Sequence, residues 1–213
     1  MRICGCLFDL DGVIIDSESQ YSAFWDEIEK IYPTGIADYS MKIKGSNLST
    51  IMQKYYHDEN AKRDILNRLE AFEDTMPLGI FPGAEDFLKE LQAAAIPCVI
   101  VTSSTCAKME RLLKIHPELG NYFAGIINGD MVTRPKPDPE CYIKGASLIG
   151  ANPADCIVFE DSINGLKAGK LSGAYVVALS TTLPAERLKT MEPDMIIPSF
   201  AGFHIDMLPS LGQ

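Results

Sequence analysis

The sequence has few positive charges for its size and no long apolar run. Its 213 residues contain 19 lysines and arginines against 29 aspartates and glutamates, a formal net charge of −10. Nucleic acids and anionic membrane surfaces bind clustered lysine and arginine, so we expect neither as a partner. The most apolar window, 93–101, is far shorter than the roughly 20 residues of a membrane-spanning helix. We therefore expect a cytoplasmic protein, with a small anionic substrate still possible if a metal ion and a lysine reverse the local field.

The sequence also lacks the paired cysteines and clustered histidines that are typical of zinc sites. Six cysteines and three histidines are scattered along the chain without a C-x-x-C pair. We interpret the cysteines as small buried side chains that stay reduced, with a zinc site as the less favoured alternative. The content of 46% hydrophobic and 23% charged residues is typical of a globular protein and excludes wholesale disorder.

Short apolar runs alternate with helical patterns along most of the chain. The apolar runs are 3–8, 98–101, 125–127, 157–159, 176–179 and 195–197. The helical patterns between them are 84–95, 108–114, 140–149 and 162–172. Runs that are apolar on both faces are typical of central parallel strands. The alternation predicts an α/β fold, a doubly wound parallel sheet with helices on both faces and a ligand crevice at the carboxyl ends of the strands.

One region interrupts this alternation. Between residues 16 and 80 the pattern favours helices and no strand, beginning with a capping box formed by Ser17 and Gln20. Further helices are predicted at 48–55 and 61–75, and a Pro- and Gly-rich stretch at 77–83 marks the return to the sheet. We therefore predict an α/β core made of residues 1–15 and 81–213, with a helical domain of residues 16–80 inserted after the first strand.

Four polar motifs follow strands of the predicted sheet. They are Asp9-Leu10-Asp11-Gly12-Val13, Thr102-Ser103-Ser104, Lys136-Pro137-Asp138-Pro139 and Glu160-Asp161-Ser162-Ile163-Asn164-Gly165. A lone D-x-D-G is also typical of a turn, but four motifs in this order are far more specific. Together they resemble the ordered motifs of the haloacid dehalogenase-like hydrolase superfamily. The helical insert resembles the subfamily with a small helical cap, which includes beta-phosphoglucomutase and phosphoglycolate phosphatase.

The resemblance implies a role for each motif. Asp9 is expected to be the nucleophile that forms an aspartyl-phosphate, and Asp11 the acid and base that serves the leaving alcohol and then water. Phosphate-binding roles are implied for Thr102, Ser103 and Lys136. Clustered carboxylates beside a phosphate repel one another, so a divalent cation is required, and oxygen ligands favour Mg²⁺. The implied ligands are Asp9, Asp11 through its backbone carbonyl, Glu160 and Asp161.

The helical cap offers weaker candidates for substrate binding. Trp25 resembles an aromatic position over the substrate in mutase-like caps, although a place in the helical core explains it almost as well. Lys44 and Gly45 resemble a cap loop that faces the pocket. Tyr21 stands where the mutase pattern has a histidine, and Leu48 where it has an arginine that binds a second phosphate.

The function that the resemblance implies is Mg²⁺-dependent hydrolysis of a small phosphate monoester by a monomeric enzyme. A phosphosugar mutase of the beta-phosphoglucomutase type is the first alternative, and Tyr21 and Leu48 argue against it. A dehalogenase is a further alternative, but Asp11 has no use in one. A non-catalytic protein that binds phosphorylated metabolites is the alternative of another class.

Overall fold

The computed structural model describes residues 3–43 and 48–208, apart from the side chain of Ser49. The chain forms two compact units: an α/β unit of Met1–Asp16 and Leu78–Gln213, and a helical unit of Ser17–Pro77. The boundaries predicted from the sequence, after residues 15 and 80, lie within three residues of these.

The α/β unit contains a parallel sheet of six strands within the described residues. The strands are β1 (Gly5–Phe8), β2 (Cys98–Val101), β3 (Phe123–Ile127), β4 (Cys156–Glu160), β5 (Tyr175–Leu179) and β6 (Met195–Ile197). Their order in the sheet is β3-β2-β1-β4-β5-β6, and every adjacent pair is parallel. The strand order reverses beside β1, so the carboxyl ends of β1, β2 and β4 surround the crevice that such sheets use for ligands.

The α-helices of the described residues are α1 (Glu18–Ile31), α2 (Tyr39–Ile43), α3 (Leu48–Tyr55), α4 (Glu59–Thr75), α5 (Ala84–Ala93), α6 (Cys106–Ile115), α7 (Glu140–Leu148), α8 (Ile163–Ser172) and α9 (Ala185–Lys189). None of these described helices has both the length and the apolar character needed to cross a bilayer.

Both faces of the sheet are covered, as its uninterrupted apolar strands require. Leu7 points to one face, in a core that includes side chains of α7, α8 and α9. Phe8 points to the other face, where its ring stacks on Phe159 at a centroid distance of 4.6 Å and meets Phe87 of α5 edge-on at 6.4 Å. The predicted doubly wound α/β fold is confirmed.

The helical unit has its own core of aromatic and aliphatic side chains. Trp25 of α1 meets Phe24 and Tyr39 edge-on, at centroid distances of 5.2 and 6.3 Å. Helix α1 begins at Glu18, but the predicted capping box is wrong: Ser17 is fully buried and its side chain makes no capping hydrogen bond. The sequence reading also missed α2, whose five residues are too few to establish a helical period.

Candidate active site

The buried carboxylate of Asp9 lies at the carboxyl end of β1. Its backbone N–H donates to the carbonyl of Phe159 at 3.0 Å, which extends the pairing of β1 with β4 by one step. Its Oδ1 accepts a hydrogen bond from Nζ of Lys136 at 2.6 Å, and only 8% of the residue is exposed. The sheet therefore holds this carboxylate by its backbone, and the lysine holds it by its side chain.

Lys136 occupies the space between two carboxylates. Its Nζ donates to Oε1 of Glu160 at 2.7 Å as well as to Asp9, and to the backbone carbonyl of Val101 at 3.2 Å. The ammonium also lies 4.9 Å from the ring centroid of Tyr142, within the range of a cation–π contact. These contacts leave 8% of the lysine side chain exposed and fix the direction of its charge.

Glu160 is hydrogen-bonded at both carboxylate oxygens. Oε1 accepts from Lys136 and from the hydroxyl of Tyr142 at 3.0 Å. Oε2 accepts from the backbone N–H groups of Asp161 and Ser162, each at 2.9 Å, and from the Ser162 hydroxyl at 3.0 Å. Five donors meet a carboxylate that has about four lone-pair sites. These hydrogen bonds fix the Glu160 carboxylate in place as a counter-ion for Lys136.

The pKa values of this group follow from burial and from the shared lysine. Burial raises the pKa of Asp9, opposed by the charge of Lys136 and reinforced by that of Glu160. Burial also acts to raise the pKa of Glu160, but Lys136 and the hydrogen bonds from Ser162 outweigh it and lower this pKa. The two carboxylates hold the pKa of Lys136 high against the opposing effect of burial. The shared contacts thus favour the ammonium form of Lys136, and further positive charge beside Asp9 would favour its ionised form.

The carboxylates of Asp9, Glu160 and Asp161 form a cluster with the chemistry of a divalent cation site. Oxygen atoms from all three lie within 4.8 Å of one another, and all three residues are buried. A second observation supports the fit: the buried Thr182 hydroxyl has no hydrogen-bond partner among the described residues. Gly12 leaves room beside these groups, since a Cβ there would lie 2.0 Å from Oδ2 of Asp161 and 2.6 Å from Oγ1 of Thr182. Hard oxygen donors of this kind suit Mg²⁺.

Asp11 is held by two donors that differ from those of Asp9. Nζ of Lys108, in the first turn of α6, donates to Oδ1 at 2.5 Å. The hydroxyl of Ser104 donates to Oδ2 at 2.7 Å. About a quarter of the Asp11 side chain is exposed, so the carboxylate is fixed in direction and still accessible to solvent.

Thr102 follows β2 and is almost completely buried. Its N–H donates to the carbonyl of Ile127 at 2.9 Å, and its Oγ1 accepts from the N–H of Ser104 at 3.0 Å. Because that bond uses the oxygen as an acceptor, the hydroxyl hydrogen can donate elsewhere, as a phosphate ligand requires. A cavity of about 330 Å³ is lined by Thr102, Ser103, Gly129, Asp130, Val132, Pro135, Lys136 and Cys141.

The structure thus brings together, within the α/β unit, all the sequence-predicted core residues. Sequence reasoning gave no role to Lys108, Tyr142 or Thr182. Tyr142 and Thr182 carry no signal in a single sequence. Lys108 does carry a signal, because a lysine in the first turn of a helix is unfavourable against the helix dipole unless an anionic group lies nearby.

The substrate candidates of the helical unit divide into two groups. Tyr21 and Trp25 line a cavity of about 250 Å³ inside the unit, and Tyr21 donates its hydroxyl hydrogen to Oε1 of Glu73 at 2.8 Å. Trp25 is 6% exposed, so it belongs to the helical core as well as to the cavity wall. Lys44 and Gly45 lie outside the described residues.

Comparisons with known proteins identify the family of the chain. Residues 3–173 match the haloacid dehalogenase-like hydrolase family. Hexitol phosphatase A of Escherichia coli is 30% identical over 219 residues, covering 99% of this chain and 97% of that protein. The probable pseudouridine-5'-phosphatase of Drosophila melanogaster is also 30% identical, covering 95% and 92%. A solved family IA HAD hydrolase from Entamoeba histolytica has the same fold, with a TM-score of 0.80 at 24% identity over 97% of this chain and 96% of that one.

Proposed function

The chain belongs to the haloacid dehalogenase-like hydrolase superfamily, and from that premise we propose that it hydrolyses a small phosphorylated metabolite in a Mg²⁺-dependent reaction. The two relatives compared above are named as phosphatases, and this chain is a phosphoric monoester hydrolase like them. The observation that carries the proposal is the buried carboxylate of Asp9, paired with Lys136 at 2.6 Å and clustered with two further carboxylates.

In the first step Asp9 acts as the nucleophile. One of its carboxylate oxygens attacks phosphorus, and the ester P–O bond breaks with its electron pair on the leaving oxygen. That oxygen takes a proton from the carboxyl group of Asp11 and leaves as the alcohol. The Thr102 hydroxyl and the backbone N–H of Ser103 bind the phosphoryl oxygens and fix their orientation, and the positive charge of Lys136 offsets the negative charge of the phosphate and of Asp9.

In the second step water releases the phosphate. Its oxygen attacks the phosphorus of the aspartyl-phosphate while the Asp11 carboxylate accepts its proton. The P–O bond to Asp9 breaks, and the electron pair returns to the Asp9 carboxylate. Asp11 is then protonated and ready for the next ester.

Asp9, Asp161 and the backbone carbonyl of Asp11 are the groups that would hold Mg²⁺. When bound, the ion supplies positive charge that offsets the clustered carboxylates and the phosphate. Both oxygens of Glu160 already accept hydrogen bonds, so we place Glu160 beside the ligand set as the anchor of Lys136.

The cavity of the helical unit favours a phosphatase over a mutase. A mutase has to bind a second phosphate during turnover. The described residues that line this cavity include the carboxylates of Glu18 and Glu73 and no lysine, arginine or histidine. The described lining therefore offers no cationic partner to a second phosphate, whereas carboxylates accept hydrogen bonds from hydroxyl groups, which suits a hydroxylated metabolite with one phosphate.

The direct test is release of phosphate from 4-nitrophenyl phosphate and from a panel of sugar and polyol phosphates, with Mg²⁺ and with excess EDTA. We expect turnover only with the metal, and Asp9→Asn should reduce it at least a thousandfold, roughly as nucleophile removal does elsewhere. Asp26→Asn, an exposed aspartate of α1, is the matched control. Full activity of Asp9→Asn refutes the assignment.

Two further outcomes separate the alternatives. Conversion of beta-glucose 1-phosphate to glucose 6-phosphate faster than release of phosphate, with catalytic beta-glucose 1,6-bisphosphate present, identifies a mutase. Binding of phosphorylated metabolites without any turnover identifies a non-catalytic protein.

A further inference from the structure

Lys108 contacts the carboxylate that the proposed mechanism uses for proton transfer. Its Nζ lies 2.5 Å from Oδ1 of Asp11, and the two residues are 97 positions apart in the sequence. The lysine side chain is 12% exposed and that of Asp11 is 24% exposed, so the contact is mostly buried while the carboxylate keeps some access to solvent. We propose that Lys108 is a positioning residue for Asp11, an inference that rests on the proposed function.

The position of Lys108 in the first turn of α6 supports a specific role for its contact with Asp11. Thr105 caps α6 by accepting a hydrogen bond from the N–H of Lys108 at 3.4 Å, which places Lys108 at the third position of the helix. A cation in the first turn faces the positive end of the helix dipole, and this first turn holds no acidic residue to compensate. Two carboxylates from outside the helix supply negative charge at this end: Oδ2 of Asp130 accepts from the N–H of Cys106 at 2.9 Å, and Asp11, on the loop after β1, contacts the Lys108 ammonium itself.

Ser104 completes the hold on Asp11 and connects it to the phosphate-binding group. The Ser104 hydroxyl donates to Oδ2 of Asp11 at 2.7 Å, and its backbone N–H donates to Oγ1 of Thr102 at 3.0 Å. Each oxygen of Asp11 thus has its own donor, and the carboxylate has a fixed relation to the hydroxyl that is to bind the phosphoryl group. A proton donor held in this way meets the leaving oxygen without a search among rotamers.

The contribution of Asp11 depends on the leaving group. An alkoxide needs a proton as it departs, whereas 4-nitrophenolate is a stable anion and leaves without one. A change that misplaces Asp11 should therefore lower kcat/KM for an alkyl phosphate far more than for 4-nitrophenyl phosphate. The value of kcat/KM covers the steps up to release of the alcohol, so a slow second step does not hide the effect.

The experiment compares the ratio of kcat/KM for the best alkyl phosphate of the panel to that for 4-nitrophenyl phosphate. We expect Lys108→Met to lower this ratio about tenfold or more, since misplacing a catalytic group costs up to roughly a hundredfold. Ser104→Ala should lower it less, because Lys108 remains. Lys108→Arg, which keeps a charged donor, should restore part of the loss. Lys114→Met, an exposed lysine in the last turn of α6, is the control and should leave the ratio unchanged.

The outcomes separate this inference from the function on which it rests. Wild-type protein that hydrolyses no alkyl phosphate refutes the proposed function, and the positioning role fails with it. Active wild type with an equal loss on both esters in Lys108→Met assigns the lysine to folding or to phosphate binding and overturns the inference alone. Unchanged or faster alkyl turnover in Lys108→Met overturns it as well. Thermal unfolding of each variant identifies a loss that comes from misfolding.

Discussion

In the α/β unit Asp9, Lys136 and Glu160 are buried together, whereas the ion pairs of the helical unit lie on its surface. The side chains of the first group are at most 11% exposed. In the helical unit, the side chains of the pair of Lys30 with Glu27 are 68% and 67% exposed. A buried charge has to be matched by opposite charge and hydrogen bonds, but a surface charge is solvated in any arrangement.

This difference teaches which parts of the sequence can vary. Removing one partner from the buried group leaves the others unpaired in a region of low dielectric, so few substitutions are acceptable there. The core of the helical unit depends on the shapes of aromatic rings such as those of Phe24, Trp25 and Phe72, and similar volumes can replace one another. The buried ionic group of the α/β unit should therefore tolerate few substitutions, and the aromatic core of the helical unit should tolerate more.

The largest effect should come from removing the central cation. Lys136→Met leaves the carboxylates of Asp9 and Glu160 without their shared partner, and we expect a loss of about 3–5 kcal/mol in the free energy of unfolding. The matched change in the helical unit, Lys30→Met, should stay within about 0.5 kcal/mol. Urea denaturation of both variants checks the contrast. Equal losses would mean that the buried group is no more demanding than the surface.

Two glycines with positive φ provide a second contrast. Gly12 has a φ of +81° and Gly35 of +74°, but only Gly12 has neighbours within 4 Å of an added Cβ. Gly35→Ala should cost about 1–2 kcal/mol for its left-handed backbone. Gly12→Ala should cost a further 1–3 kcal/mol or so, because the methyl group meets the carboxylate of Asp161. If the two variants unfold at the same denaturant concentration, the crowding at Gly12 has no energetic consequence.

Metal binding should distinguish the carboxylates of the two units. An ion held by the native α/β unit raises its stability by about 2.7 kcal/mol at a hundred times its Kd. We expect Mg²⁺ to raise the Tm of the wild type and of Glu73→Gln, but not that of Asp161→Asn. Differential scanning fluorimetry across a Mg²⁺ titration measures all three. A shift in Tm that persists in Asp161→Asn places the ion elsewhere.

The smallest effect concerns a surface pair of the α/β unit, which should behave like those of the helical unit. Nδ1 of His204 lies 2.7 Å from Oε1 of Glu90, and this contact raises the pKa of His204 and lowers that of Glu90. The His204 contribution is complete below its ordinary pKa of 6.5 and is lost as pH rises through the raised pKa. The Glu90 contribution is complete above its ordinary pKa of 4.5 and is lost as pH falls through the lowered one.

The pair therefore stabilises the fold most between these two ordinary values. His204→Gln should lower the Tm slightly at about pH 5.5 and by less at about pH 8.5. His57→Gln, an exposed histidine of the helical unit, is the control. A larger loss at the higher pH contradicts the expected sign.

Sequence reasoning could predict the sheet and its motifs because the strands are short apolar runs, and β1 to β5 each end in or directly before a polar residue. It could not predict that Ser17 is buried and makes no capping hydrogen bond, since burial of its hydroxyl depends on tertiary packing that no local sequence pattern encodes. The same limit applies to Tyr142, which reads as one more apolar position of α7 although its hydroxyl donates to Glu160. The pairing of Asp11 with Lys108 joins segments 97 positions apart, and only the fold brings them together.

The central place of β1 in the sheet has a consequence for synthesis on the ribosome. Its two neighbours, β2 and β4, begin at Cys98 and Cys156. At roughly 5–20 residues per second, on the order of ten seconds pass between translation of Asp9 and that of Asp161. Ser17–Pro77 and then β2 are translated first, so until β4 follows, the edge of β1 that pairs with β4 is open to chaperones or to other nascent chains. Asp9 is thus translated well before Glu160 and Asp161, the carboxylates that lie beside it in the folded chain.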